Sequence, residues 1–263
     1  MRALWSAASG MKNIQLSIDN ISNNLANVNT TGFKKQRTEF KDLLYEKLRK
    51  VENSDNFGHP VGIEVGYGVR ISATVRSFTQ GNLMQTDNDL DLAISGKGFF
   101  TVINENGEER YTKDGSFKIS VDGDVSRITT SDGYYVQGLD GDIELGGDIK
   151  EITIDKNGVI TVKRDGSEAF EELTTLKLVN FINSAGLEAL GSNLYKTTSA
   201  SGEPTISTNG AAGEVTQGYL EASNVQVVEE MINLISAQRA YEINSKAIQT
   251  SDQMLELANN LKR

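Results

Sequence analysis

Asp87, Asp89 and Asp91 alternate along a short stretch, and on an extended strand they would project from one face. A pair of carboxylates is the minimum apparatus for cleaving a glycosidic bond, one acting as acid and the other as base or nucleophile. The same spacing suits an acidic edge strand, which repels unwanted pairing, and that is the more economical reading. Asp122-Gly123-Asp124 and Asp140-Gly141-Asp142 read as fragments of calcium loops. Neither is followed by the further oxygen ligands and closing glutamate that an EF-hand requires, so both are expected to be tight turns. Gly66-Tyr67-Gly68 and Gly96-Lys97-Gly98 lack the third glycine of a dinucleotide loop, and no GxxxxGK[ST] phosphate loop occurs. Asn29-Thr30-Thr31 has the form of a glycosylation acceptor, which means little without a secretory signal.

The composition narrows the chemistry further. Among 263 residues there is no cysteine and one histidine, His59. Disulfides, thiolate-held zinc, iron–sulfur clusters and thiol nucleophiles are thereby excluded, as is a pair of histidines in acid–base relay. No catalytic, metal or cofactor-binding residue is expected. The first ten residues hold no apolar run long enough for a signal-peptide core, and no segment is apolar over the ~18 residues a membrane span needs. The length allows one or two domains with ample core.

Charge is unevenly placed. Residues 34–50 carry +4, whereas residues 51–222 carry −14 of a net −10. A basic segment on so acidic a body does not make the broad positive footprint that nucleic acid requires. It is expected to be a solvated segment or one that meets an acidic neighbour.

The elements that would position these residues come in two kinds. Near the N-terminus Leu4, Ala7, Met11, Ile14, Ile18, Ile21, Leu25 and Val28 recur at alternating intervals of three and four, a heptad seam. It predicts a helix over residues 4–31, about 40 Å long, stopped by Gly32 in the left-handed position with Phe33 touching Val28. Asn20, Asn23, Asn24, Asn27 and Asn29 lie off that seam and are weak helix formers. They suit either fraying near the helix end or amide hydrogen bonding to neighbouring helices in an assembly. At the other end, Ser223 and Gln226 have capping-box spacing, and residues 223–263 contain no glycine or proline. One helix of about 60 Å is expected, with a second seam at Ala240, Ile243, Ala247, Thr250, Met254, Leu257 and Leu261.

Between them the period changes to two. Asn-Gly and Asp-Gly pairs at residues 106, 114, 122, 132, 140, 157 and 165 predict antiparallel strands joined by type I′ hairpins. Residues 99–103, 152–154, 159–162 and 176–181 read as strands, and residues 48–68 as an irregular connector. The expected class is α+β: terminal helices at residues 1–33 and 223–263 paired as a coiled coil, an extended connector at 34–85, and an antiparallel β domain at 86–222. Leu4, Met11, Ile14, Ile18, Ile21, Leu25, Val28, Ala240, Ile243, Ala247, Met254, Leu257 and Leu261 are the candidate self-assembly residues.

Asn24-Leu25-Ala26-Asn27-Val28-Asn29-Thr30-Thr31-Gly32-Phe33-Lys34 and Ala240-Tyr241-Glu242-Ile243-Asn244-Ser245-Lys246 resemble the opening and closing motifs of the bacterial flagellar rod and hook axial proteins. The resemblance continues through Gln80-Gly81-Asn82-Leu83 and residues 94–100, 111–117, 187–195 and 217–225. Residues 40–45, the closing motif and the small middle domain favour the distal-rod members of that family. The resemblance implies a homo-oligomer stacked into a hollow helical tube that transmits torque to the hook, without enzymatic activity or cofactor. It also implies contacts with proximal-rod and hook axial proteins and with outer-ring proteins, and a periplasmic place in the basal body reached through the flagellar type III apparatus without a cleaved signal. The chain ends are expected to be largely disordered until assembly. A peptidoglycan-directed hydrolase or lectin using Asp87, Asp89 and Asp91 is the alternative from a different class.

Overall fold

The computed structural model describes residues 2–49, 62–122, 125–146, 149–164, 169–207 and 213–261. His59 and the turn residues Gly123, Asp124, Asp165 and Gly166 lie outside them. The chain divides into two units. One gathers Met1–Ala26, Gln36–Arg76 and Gln226–Arg263, and the other gathers Asn27–Lys35 and Ser77–Val225. The expected separate region at 34–85 is therefore corrected: most of it belongs with the helices, and its two ends with the β unit.

In the helical unit, α1 (Arg2–Ala26) stops five residues before the predicted end. The reason is local. Asn27, Asn29, Thr30 and Thr31 are weak helix formers, and the chain turns there, Thr30 N–H donating to Asn27 O at 3.2 Å. The second helix, α2 (Val227–Asn260), begins at Gln226 and not at the predicted Ser223, with Glu229 and Glu230 in its first turn where the helix dipole favours them. Its 34 residues span about 51 Å. Four strands complete the unit: β1 (Gln36–Asp42), β2 (Tyr45–Arg49), β3 (Ile63–Gly66) and β4 (Val69–Arg76). β1 pairs antiparallel with β4 from Gln36 opposite Arg76 to Asp42 opposite Val69, with a bulge at Glu39/Phe40. β2 pairs with β3. The described part of the expected irregular connector at 48–68 is thus largely strand, the end of β2 and all of β3, because Leu48, Ile63 and Val65 alternate with charged residues as strands do.

The β unit contains β5 (Leu83–Gln85), β6 (Leu92–Ser95), β7 (Phe99–Ile103), β8 (Glu109–Thr112), β9 (Lys118–Asp122), β10 (Val125–Thr129), β11 (Tyr135–Gly138) and β12 (Gly141–Asp142). After these come β13 (Ile149–Ile154), β14 (Val159–Arg164), β15 (Phe170–Thr175), β16 (Leu178–Asn180), β17 (Glu188–Gly191), β18 (Leu194–Lys196), β19 (Thr205–Ile206), β20 (Glu214–Gln217) and β21 (Tyr219–Glu221). The main sheet runs β17-β18-β8-β7-β11-β10-β9, a second sheet is β13-β14-β15, and β6 pairs β20 as β5 pairs β21. β7 carries apolar side chains on both faces, interrupted only by Thr101, because both faces are covered. Phe100 and Val102 enter one core with Leu92, Phe117 and Ile160, while Phe99 enters another with Tyr111, Val179, Phe181 and Tyr195. The second core is a chain of edge-to-face aromatic contacts, Phe99 lying 5.5 Å from Phe181 and 6.1 Å from Tyr195 between centroids.

Turns fall at most of the described Gly dipeptides, but their type differs from expectation. A type I′ turn needs positive φ at both central residues, and among the described non-glycine residues only Ser192 (48°) and Asn193 (57°) have it. That pair makes the tight β17–β18 hairpin. At Gly107, Gly133 and Gly158 the glycine alone is left-handed, its N–H donating to Asn104, Thr130 and Asp155 oxygens respectively. These are three-residue loops in which a type I turn is followed by a left-handed glycine. Asp114-Gly115 joins no hairpin. The Asp114 carboxylate accepts from Ser116 N at 3.1 Å, and Gly115 lies so close to Leu92 O that an added Cβ would overlap it.

Candidate assembly site

Two contacts set the direction of the helix pair. An added Cβ on Gly10 would meet Asn244 Oδ1 at 3.3 Å, and Asn24 Nδ2 donates to Glu230 Oε2 at 3.2 Å. As α1 advances, its partners on α2 recede, so the helices are antiparallel. The covered positions of α2 are Glu230, Leu234, Ala237, Ala240, Asn244, Ser245, Ile248 and Ser251, a stripe of small and polar residues with two aliphatic side chains among them. Most of the predicted α2 seam is therefore not the face that meets α1. Ala240 is half-buried, but Ile243, Met254, Leu257 and Leu261 are 67, 63, 64 and 88% exposed, and Ala247 is exposed as well. On α1 the predicted Leu4, Met11, Ile14, Ile18, Ile21 and Leu25 are half-buried, and so is Val28 beyond its end. Only Ala7 of that seam is buried, with Gly10, Asn13 and Asn24 from outside it.

The asparagines explain the shift. Asn24 imitates a strand neighbour: its amide donates to Gln36 O at 2.9 Å and its carbonyl accepts from Gln36 N at 2.9 Å. Asn20 donates to Thr38 Oγ1 and Asn13 to Val69 O at 2.6 Å. For Asn20 and Asn24, fraying does not account for the amides. They bind α1 to β1 of its own chain, as Asn13 binds it to β4, and a buried helix face must be polar where it meets strand backbone.

The rest of the opening motif is built into the β unit. Thr31 Oγ1 donates to Asp114 Oδ1 at 3.0 Å, and Thr31 O accepts from Asn193 Nδ2 at 2.8 Å. Gly32 has φ +66° and donates its N–H to Glu221 O at 2.8 Å, so its positive φ serves a β-unit contact and not a helix stop. Phe33 is buried, and Lys34 is completely buried, its Nζ donating to Glu221 Oε1 at 2.5 Å and to Thr79 O at 2.9 Å. Sequence reading missed this ion pair, since its members lie 187 positions apart. It also missed Lys113, whose buried Nζ lies 3.9 Å from Glu221 Oε2.

Burial pushes the Lys113 ammonium down to about 8, with Glu221 opposing the shift and Lys34 adding to it. A depressed lysine means that the unfolded chain binds more protons between pH 8 and the ordinary 10.5, so stability should rise with pH across that window. Tyr111, raised by burial and by the hydrogen bond it donates to Glu109, acts in the opposite sense once pH passes its ordinary 10.0. Urea unfolding should therefore show a higher midpoint near pH 9.5 than near pH 7.5, and Lys113→Met should flatten the difference. Equal midpoints in the parent chain would contradict this.

The candidate catalytic residues do not converge. Asp87 and Asp89 lie in a bend and a turn, not on a strand, while Asp91 is buried and accepts from Asn88 Nδ2 at 2.9 Å. Asp140 and Asp142 flank a hairpin and accept from Thr174 and Gln137 side chains. Among the described residues no group of three or more His, Asp or Glu side chains could hold a metal ion, and no helix is long and apolar enough to cross a membrane.

Three family descriptions match the chain: "Flagella basal body rod protein" at residues 4–34, "Flagellar hook protein FlgE/F/G D1 domain" at 93–162 and "Flagellar basal body rod FlgEFG protein C-terminal" at 216–261. The flagellar basal-body rod protein FlgG of Borreliella burgdorferi is 48% identical, covering 100% of this chain and 99% of its own. That of Caulobacter vibrioides is 45% identical with 100% of both covered, and that of Bacillus subtilis 36% identical with 100% of both covered. These relatives leave no place for the hydrolase or lectin alternative. With its opening motif divided between helix and β unit and its closing motif on α2, the chain belongs to the flagellar basal-body rod protein FlgG family.

Proposed function

We propose that the chain is the structural subunit of the flagellar distal rod, stacking in many copies into a hollow helical shaft that carries torque toward the hook. One observation carries this reading within the family: Ile243, Met254, Leu257 and Leu261 form an apolar stripe on α2 that the chain itself leaves exposed. Fully burying each such side chain is worth about 1.5–3 kcal/mol, and a heterologous contact repeated by every copy yields a filament. Neighbouring copies are the natural cover, with the helix pair acting as a coiled coil inside the tube. Residues 252–261 have little cover in a single copy, which supports ordering of the chain ends on incorporation. Proximal-rod and hook axial proteins would meet the two ends of the shaft and ring proteins its outside. The flagellar type III apparatus is the proposed export route to the periplasm, and the rod itself needs no enzymatic activity.

Electron microscopy of basal bodies from cells with and without this gene product tests the reading directly, and an unchanged rod in its absence would defeat it. A sharper expectation follows from the stripe. Ile243→Asp and Met254→Asp should each leave monomer stability within about 0.5 kcal/mol, as exposed substitutions do, yet stop rod growth, because an unpaired charge would be buried at every subunit contact. Normal rods in both variants would remove α2 from the interface.

A further inference from the structure

Glu221 is a buried carboxylate with two lysines within reach, and it hydrogen-bonds only one. Its Oε1 accepts from Lys34 Nζ at 2.5 Å and from Gly81 N at 2.8 Å. Its Oε2 is buried without a hydrogen bond, 3.9 Å from Lys113 Nζ. Lys113 meanwhile donates to Gly96 O at 2.7 Å and stands 5.5 Å from the centre of the Phe99 ring. An ammonium has three donors, so a movement of about 1 Å would bring Lys113 to hydrogen-bond distance of Oε2 while it keeps Gly96.

The two lysines differ in where they come from. Lys34 arrives on residues 27–35, which follow α1, whereas Lys113 follows β8 directly and is present whenever the central ladder of the β unit has formed. A buried carboxylate stripped of its cation is strongly destabilising. If Lys34 were the sole counter-ion, the β unit could not close until residues 27–35 had docked.

We propose that Lys113 is the reserve counter-ion of Glu221: while residues 27–35 are undocked it closes on the carboxylate, and it gives way to Lys34 when they dock. The β unit can then fold first and receive the opening motif afterwards. This rests on the reading that the chain ends order late, during assembly. Amide exchange over residues 27–35 of the unaltered monomer tests that reading by itself, since slow exchange there would count against late docking alone.

The device is tested in the full chain by hydrogen exchange of β7, β8 and β18, with Gly32→Val used to undock residues 27–35 whatever the parent chain does. In the Gly32→Val background, Lys34→Met should be silent. Lys113→Met should speed exchange of the three strands by about tenfold or more, within the range of coupled neighbours, and adding Glu221→Gln should restore protection by removing the charge that needs a partner. Failure of Glu221→Gln to rescue, or an equal effect of Lys113→Met with and without Gly32→Val, would overturn the proposal and reduce Lys113 to a packing residue. A second measurement needs no undocked state. Unfolding equilibria of Lys34→Met, Lys113→Met and the double variant should show the double losing about tenfold more than the product of the single losses. Strictly multiplicative losses would also overturn it.

Discussion

Where residues 27–35 are docked, Gly32→Val should destabilise the protein by about 3–5 kcal/mol, in the class of the most damaging single substitutions, and lower the Tm of the β unit by roughly 10 °C for a body of that size. Two independent costs combine. At φ +66° a β-branched residue is strained, by about 1–2 kcal/mol. A Cβ would also stand 2.7 Å from Asp114 N and 2.9 Å from both Asp114 Cα and Lys113 C. Those are main-chain atoms and cannot turn aside, so residues 31–33 would lift, breaking the Gly32 N–H bond to Glu221 O and drawing Lys34 from its carboxylate. Gly32→Asn separates the two costs. Asparagine tolerates positive φ but brings the same Cβ, so it should be nearly as harmful as valine if the close approach dominates. Thermal unfolding followed in the strand region of the circular dichroism spectrum checks both variants. A Gly32→Val chain that melts with the parent would mean that residues 27–35 are not docked against Asp114 in the free monomer.

Asn24→Leu should cost the helical unit a similar amount, about 3–5 kcal/mol, and abolish motility. Leucine nearly preserves the volume, so packing is not the main loss. What remains is a Gln36 N–H and a Gln36 C=O without partners, and a Glu230 carboxylate, only 4% exposed, that has lost its donor. Asn24→Asp sharpens the point, because it keeps the acceptor for Gln36 N and sets a second carboxylate against Glu230. Glu230→Gln should then recover part of the loss when combined with Asn24→Asp and almost none when combined with Asn24→Leu. Helical melting of the purified variants measures this, and equal recovery in both would show that Glu230 does not depend on residue 24.

Whatever depends on one segment was legible in the sequence. The apolar run Phe99–Ile103 specified a strand, the three–four repeats specified two terminal helices, and glycines at 107, 133 and 158 marked turns. The motif from Asn24 to Lys34 pointed to the family without any coordinates. Selection of faces was not legible, because it depends on what lies opposite. α2 carries an apolar stripe and a mixed one of polar, small and a few aliphatic residues, and periodicity chose the apolar stripe. The fold turns the other inward, since Gly10 and Asn24 of α1 meet Asn244 and Glu230. The helix asparagines were ambiguous for the same reason: an amide shows its use only once the backbone of Gln36 stands beside it. Glu221 and its two lysines lay beyond any local pattern. A long-range ion pair leaves no periodic trace, and only closure of the chain brings residues 34, 113 and 221 into one dry site, where an unpaired charge is too costly to leave.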